Sequence, residues 1–129
     1  MAFGRETTAK NVKPLLKEGA IVMPGRLGAT TEAGEFVALQ SDEKWDPAIA
    51  TGVVFTLAVA VQGGIDGDVV DLVVFGPVQC LTDATPGGLI YVSDTAGEPS
   101  TSAGTKTTIA GYAREATVLF VQPQIVSFS

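Results

Sequence analysis

Three aspartates separated by short intervals are the strongest candidates for chemistry in this chain. Asp66, Asp68 and Asp71 lie in the segment Gly-Ile-Asp-Gly-Asp-Val-Val-Asp that begins at Gly64. Carboxylates beside glycines can present oxygen ligands to calcium, but this spacing is not that of an EF-hand loop, and no glutamate closes it. Aspartate and glycine are also the residues that a tight hairpin turn requires. We therefore interpret the segment as a turn and assign no metal site, although the sequence leaves open whether these aspartates bind an ion.

The side chains from which active sites are usually built are scarce. The chain contains no histidine, which is the commonest general acid or base and the commonest metal ligand. Its one cysteine, Cys80, lies in the apolar run Val-Gln-Cys-Leu, where a buried and inert thiol is expected. The glycine pairs in residues 25–28 and 63–64 are not followed by the lysine and hydroxyl of a phosphate-binding loop. We therefore predict no enzymatic activity, no catalytic residue and no cofactor.

Charge is distributed unevenly over the 129 residues, which together carry a net charge of −6. Residues 1–26 hold five basic and two acidic side chains, whereas residues 27–129 hold three basic and twelve acidic ones. An acidic body repels phosphate, so we predict no binding of nucleic acid. The longest apolar run, residues 53–61, is too short to span a bilayer, so we also predict no membrane partner. The basic leader is expected to lie on an acidic surface, its own or a neighbour's, unless it is an ordinary solvated tail.

A duplicated pattern of turns and strands organises the chain. One copy begins with Thr-Glu-Ala-Gly at Thr31 and the other with Thr-Pro-Gly-Gly at Thr85, and each continues into a strand, a polar stretch and an Ile-Ala pair. Such repetition indicates that a β unit has been duplicated. Large residues alternate with small ones from Val53 to Val61, which is the period of a strand with one face on a core. The opposite, small apolar face suits burial against another subunit or a closely packed loop.

These patterns predict an all-β fold, a small β-barrel or sandwich of two similar halves with an extended N-terminal arm. We assign residues 1–18 to the arm and residues 19–129 to the β domain, because short strands separated by glycine and proline are typical of such folds. The arm is interrupted by Pro14 and has little to bury, so we expect it to be mobile in the free subunit and ordered in an assembly. The predicted core consists of Val53, Phe55, Leu57, Val59, Val73, Phe75, Leu119 and Val121.

Five residues are candidates for contacts with a partner or another subunit. Four are the basic residues of the arm, whose cations favour an acidic surface: Arg5, Lys10, Lys13 and Lys17. The fifth is Trp45, the lone tryptophan, in the polar loop of residues 40–48, because aromatic residues are enriched at interface hot spots. The alternative for Trp45 is that it folds back over the open end of the core.

Several motifs occur in an order that is characteristic of one family. They are Gly-Ala-Ile-Val at Gly19, Ile-Ala-Thr-Gly-Val at Ile49, Gly-Leu-Ile-Tyr-Val-Ser-Asp-Thr-Ala-Gly at Gly88, Ile-Ala-Gly-Tyr-Ala-Arg-Glu at Ile109, and a terminal Leu-Phe-Val strand. In this order, over about residues 19–129, the chain resembles the small capsid decoration (cement) proteins of tailed bacteriophages. The motifs consist of glycines, β-branched residues and turns rather than catalytic signatures, so no functional residue can be transferred individually.

The resemblance implies a non-enzymatic β domain on the outer surface of an assembled phage head. Such a protein clusters there, usually as a homotrimer, and clamps neighbouring subunits of the major capsid protein. The resemblance therefore implies a virion protein that is made in the host cytoplasm. The alternative from another class is a small soluble β-barrel that binds a ligand, which would need a concave apolar pocket with convergent polar groups.

Overall fold

A computed structural model describes residues 3–51 and 56–125 of the chain, and its regular structure is almost entirely β. The described part contains two short 3₁₀ turns, Ala9–Asn11 and Leu16–Glu18. The all-β prediction is therefore confirmed. The strands in chain order are β1 (Gly4–Arg5), β2 (Lys13–Pro14), β3 (Ile21–Arg26), β4 (Phe36–Leu39), β5 (Trp45–Pro47), β6 (Leu57–Ala60), β7 (Val69–Gln79), β8 (Leu81–Thr82), β9 (Leu89–Val92), β10 (Pro99–Ser100), β11 (Thr108–Glu115) and β12 (Val118–Ile125).

The strands form two halves with the same spatial order. In the first half the order is β3, the first part of β7, β6, β4 and β5; in the second it is the last part of β7, β12, β11, β9 and β10. The pairings between these strands are antiparallel. Strand β7 is therefore the last strand of the first half along the chain, and its final part is the first strand of the second half. This order confirms the two similar halves that the repeated motifs predict.

Strand β7 serves both halves because it bends in its middle. Residues 69–75 pair with β3, and residues 76–79 pair with β12. The register of the pairing with β3 shifts between Ile21 and Val22, which is the signature of a β-bulge. Just beyond it, Gly76 has a φ of 97°, and a Cβ atom there would lie 2.9 Å from the Cα of Ala20. The absence of a side chain therefore permits both the bend and the close crossing of residues 19–20.

The first half closes on itself around a small core. Leu27, directly after β3, forms a parallel bridge with Trp45 of β5, and the N–H of Gly28 donates to the carbonyl of Trp45 at 2.9 Å. The narrow space inside explains why β6 turns Ala58 and Ala60 inward. The small face of this strand is thus buried within its own chain rather than against another subunit. The members of this core are Leu27, Val37, Trp45, Ala58, Ala60, Val70 and Leu72.

A larger core lies between the two halves, and it contains most of the predicted core residues. Leu57, Val59, Val73, Leu119 and Val121 are all buried in it, which confirms their assignment. The two remaining members from the alternating run, at positions 53 and 55, lie outside the described residues.

Among the predicted core residues that the structure describes, Phe75 is the one that lies elsewhere. Its side chain is 40% exposed. Strict alternation along β7 would put Phe75 on the same face as Val73, but the bulge opposite Val22 interrupts that alternation. A β-bulge redirects the side chains that follow it, so the period-two pattern fails at this position.

The leader, which here means residues 3–18 of the predicted arm, completes the second half. Leu81 in β8 holds the position after β7 that Leu27 holds after β3. Leu27 bridges directly to the opposite strand of its half, whereas Leu81 pairs with Arg5 of β1. Strand β1 in turn contacts β10. Further along the leader, Val12 is buried in the larger core, and β2 pairs with β7. The expectation that the leader has little to bury is therefore wrong at Arg5 and Val12, because these residues fill a seam of the same chain.

Candidate interaction surfaces

Arg5 holds the leader to the turns of both halves. Its side chain is only 8% exposed; Nε donates to Glu98 Oε2 at 2.8 Å and Nη2 to Glu32 Oε1 at 3.0 Å. Nη1 also donates to the carbonyl of Ala33 at 3.0 Å. Burial alone would lower the pKa of Arg5, but its hydrogen bonds to Glu98 and Glu32 and the negative charges of Glu98 and Glu35 raise it. The positive charge of Arg5 is therefore ion-paired within the chain, and Arg5 is not an exposed contact for a partner.

Glu35 lies beside this ion-paired group. Partial burial is the largest cause that raises the pKa of its carboxyl group, and the negative charges of Glu98 and Glu32 raise it further. The charge of Arg5 and a hydrogen bond from the backbone of Glu32, 2.9 Å from the Glu35 Oε1, act in the opposite direction. Two carboxylates, those of Glu32 and Glu98, thus contact the Arg5 guanidinium where the two halves and the leader meet, and the carboxylate of Glu35 interacts with it through charge alone.

The other predicted contact residues divide into exposed and buried ones. Lys10, Lys13 and Lys17 are exposed, so they remain available to a partner. Trp45 is 7% exposed and belongs to the small core of the first half. The alternative for Trp45, that it folds back into the core, is the one that the structure shows. The polar residues next to Trp45 in the sequence do not predict this burial. It depends on Leu27, which forms the bridge to Trp45 and belongs to a distant segment of the chain.

Cys80 is buried beneath the leader. The N–H of Glu6 donates to the carbonyl of Cys80 at 2.8 Å, and burial raises the pKa of its thiol to about 12. A thiol with so high a pKa is almost entirely protonated near neutral pH and is a poor nucleophile. This agrees with the prediction of a buried, inert thiol.

The aspartate-rich segment forms the turn that its composition predicts. Gly67 has a φ of 96°, and Asp68 Oδ2 accepts a hydrogen bond from the N–H of Ile65 at 2.9 Å. Asp66 instead forms an ion pair with Lys44, with 3.2 Å between Oδ1 and Nζ. Within residues 3–51 and 56–125, no three histidine, cysteine, aspartate or glutamate side chains are grouped to hold a metal ion.

An aromatic row crosses the outer face of the second half, and sequence reasoning missed it. The rings of Phe75 and Phe120 meet edge to face at 5.3 Å, and those of Phe120 and Tyr112 stack at 5.3 Å with 15° between their planes. Ile21 lies opposite Phe75 and Leu89 lies opposite Tyr112 in neighbouring strands. Ile21, Phe75 and Leu89 are exposed. We call these five residues the aromatic row. In the sequence, Tyr112 and Phe120 could have been recognised as surface aromatic residues from their outward-facing positions in the last hairpin.

Charged groups border the aromatic row and balance one another. Arg114 forms ion pairs with Glu18 and, at 2.8 Å, with Glu115. Glu18 belongs to the 3₁₀ turn that also carries the exposed residues Leu16 and Lys17. Two bases and two acids thus border an apolar surface, so this border has no net charge. Such an exposed apolar surface with a polar rim is typical of a binding site.

The chain matches no protein-family model and no curated protein. Among the described residues, no helix is long and apolar enough to cross a membrane.

Proposed function

We propose that the protein is a capsid decoration (cement) protein of a tailed bacteriophage. It binds the outer surface of the assembled head as a homotrimer and clamps neighbouring subunits of the major capsid protein, without enzymatic activity. The observation that carries the proposal is the set of turn and strand motifs through which residues 19–129 resemble that family. The repeated strand order supports it, because these motifs lie on two matching halves.

The surfaces of the protein suit a clamp. The aromatic row offers apolar area on strands of a sheet, and the exposed lysines of the leader offer cations to an acidic surface. Burying apolar surface contributes about 25 cal/mol per Å², whereas exposed charges contribute less and are screened by salt. A protein that binds the assembled shell but not dissociated subunits stabilises the shell by mass action, by about 2.7 kcal/mol at a hundredfold excess over Kd.

The interior of the first half gives no support to the alternative of a ligand-binding barrel. A ligand site would need an apolar cavity with a few convergent polar groups. Instead, the side chains of Leu27, Val37 and Leu72 fill this interior, each with no measurable exposure.

Attachment to heads provides the direct test. Purified protein is mixed with phage heads that lack decoration, the heads are sedimented, and bound protein and the temperature of head disruption are measured. We expect saturable binding and a higher disruption temperature, with no binding to dissociated capsid subunits. Failure to bind heads of the phage that encodes the chain, by protein shown to be folded, would overturn the proposal.

A further inference from the structure

The aromatic row continues into a wider outer face of the second half. Directly opposite one another in β9, β11 and β12 lie Tyr91, Ile109 and Gln124. They share the side of the sheet that carries Leu89, because Tyr91 follows Leu89 at an interval of two residues. We call the aromatic row, these three residues and the exposed Gln122 together the outer face.

Apolar rings and neutral hydrogen-bonding groups lie side by side on the outer face. Tyr91 and Tyr112 each combine an apolar ring with a hydroxyl group. The exposed side chains of Gln122 and Gln124 each carry an amide that both donates and accepts hydrogen bonds. Neither amide forms a hydrogen bond with another described residue. The outer face therefore offers apolar contact and free neutral polar groups to the same ligand.

The charges that border the outer face favour a neutral ligand. Arg114 is ion-paired with Glu18 and Glu115, and together with Lys17 these groups have no net charge. The whole chain carries a net charge of −6, which repels phosphate, sulfate and carboxylate groups. Aromatic residues that stack on nucleic-acid bases act together with a positively charged groove, and this face has none.

The outer face is long and narrow. It crosses the five neighbouring strands β3, β7, β12, β11 and β9, which corresponds to about 19 Å at a spacing of about 4.8 Å. Along β9, the outward-facing Leu89 and Tyr91 are about 7 Å apart. A strip of this size, on the order of 200 Å², is much smaller than the about 800 Å² that each partner buries in a stable protein–protein interface. Its shape suits a linear chain one ring wide.

We propose that the outer face binds a linear, neutral, β-linked polysaccharide. The axial C–H groups of such a sugar give each pyranose ring an apolar side, which packs against the electron-rich faces of Tyr112 and Phe120. The hydroxyl groups at the ring edge bind the amides of Gln122 and Gln124 and the hydroxyl of Tyr91. The β linkage keeps the sugar chain extended, as the straight row requires.

The inference goes beyond the proposed function and is tested on free protein, so its failure is distinguishable from failure of head binding. Isotope-labelled full-length protein is titrated with the β-1,4-linked hexasaccharides of glucose, xylose and mannose, and NMR chemical shifts are recorded. We expect saturable shifts with at least one of them, concentrated on β9, β11 and β12. Oligogalacturonate, which is anionic, should bind about tenfold more weakly. No saturable shift with any of the three neutral sugars, or equally tight binding of oligogalacturonate, would overturn the inference.

Variants locate the contact on the outer face. Tyr112→Ala should weaken binding of the tightest hexasaccharide by more than tenfold, and Gln124→Ala, a second variant if Tyr112→Ala does not fold, should weaken it several-fold. The matched control is Ile65→Ala, because Ile65 is 62% exposed in the turn between β6 and β7 and should leave affinity unchanged. Folded variants of the outer face that bind like the parent protein would contradict the inference. Protection of this face by phage heads, without binding of any saccharide, would identify it as a contact with the capsid instead.

Discussion

The two halves share one strand order but complete their cores differently. The first half closes through the bridge between Leu27 and Trp45. The second half receives β1 at the corresponding place. The first half therefore depends on an apolar side chain from within its own repeat, whereas the second depends on a leader held by ion pairs of Arg5. The two halves thus share the order of their strands and differ in the contacts that close them.

Removal of the closing side chain of the first half should have the largest effect. Trp45→Ala is expected to lower the free energy of unfolding by about 3–5 kcal/mol, because it leaves a cavity in a narrow core. Trp45→Phe should cost less, since it keeps much of the apolar volume. Chemical denaturation followed by circular dichroism measures both, as tryptophan fluorescence is lost. An Ala variant as stable as the parent would show that the bridge does not support the first half.

Loosening the leader should have an intermediate effect. Arg5→Ala is expected to cost about 1–3 kcal/mol, because hydrogen bonds to charged groups are lost from a largely buried side chain. Cys80, beneath the leader, should then react faster with a thiol reagent under native conditions. Lys13→Ala, an exposed change in the same leader, is the control. Unchanged reactivity of Cys80 in Arg5→Ala would show that the ion pairs do not hold the leader in place.

The carboxylates around Arg5 predict a smaller, pH-dependent effect. Because the pKa of Glu35 is raised in the folded protein, folding favours its protonated form, and its contribution to stability is lost as pH rises through that pKa. Glu35→Gln should therefore raise stability at neutral pH by a few tenths of a kcal/mol, discounted for partial exposure, and leave stability at low pH nearly unchanged. Unfolding curves from pH 4 to 7 provide the measurement; a loss of stability at neutral pH would contradict the prediction.

The exposed lysines of the leader should have the smallest effect on folding. Replacing Lys10, Lys13 and Lys17 with alanine is expected to change stability by less than about 0.5 kcal/mol per site. Under the proposed function the same triple variant should bind heads more weakly, with a larger deficit at low salt than at high salt. Lys106→Ala, outside the leader, is the control. If the triple variant binds heads at low salt as tightly as the parent protein, the contact with the head lies in the β domain and not in the leader.

Much of the architecture was readable from local patterns. The repeated Thr-x-x-Gly segments at Thr31 and Thr85 predicted two similar halves, and the aspartates around Gly67 predicted a turn. The alternation around Val59 identified one core face. These predictions succeeded because turn formation and strand alternation depend on neighbouring residues, which the sequence displays directly.

The interaction surfaces could not be read in the same way. Arg5 had the composition of a solvated tail, yet residues from both halves surround it. Trp45 stood in a polar loop, yet Leu27 brings it into a core. The partners of both residues come from distant parts of the chain, so their burial depends on how strands are ordered in space.

The sequence by itself determined the β class, the duplication, the turns and the uneven charge, since these follow from composition and from short-range periodicity. Only the tertiary structure decided which faces are covered. A single bulge in β7 and the bend at Gly76 expose Phe75 beside Phe120, while the path of the leader buries Arg5. The physical reason is that the exposure of a side chain is set by segments far away in sequence, and a one-residue irregularity reverses the face on which every following residue lies.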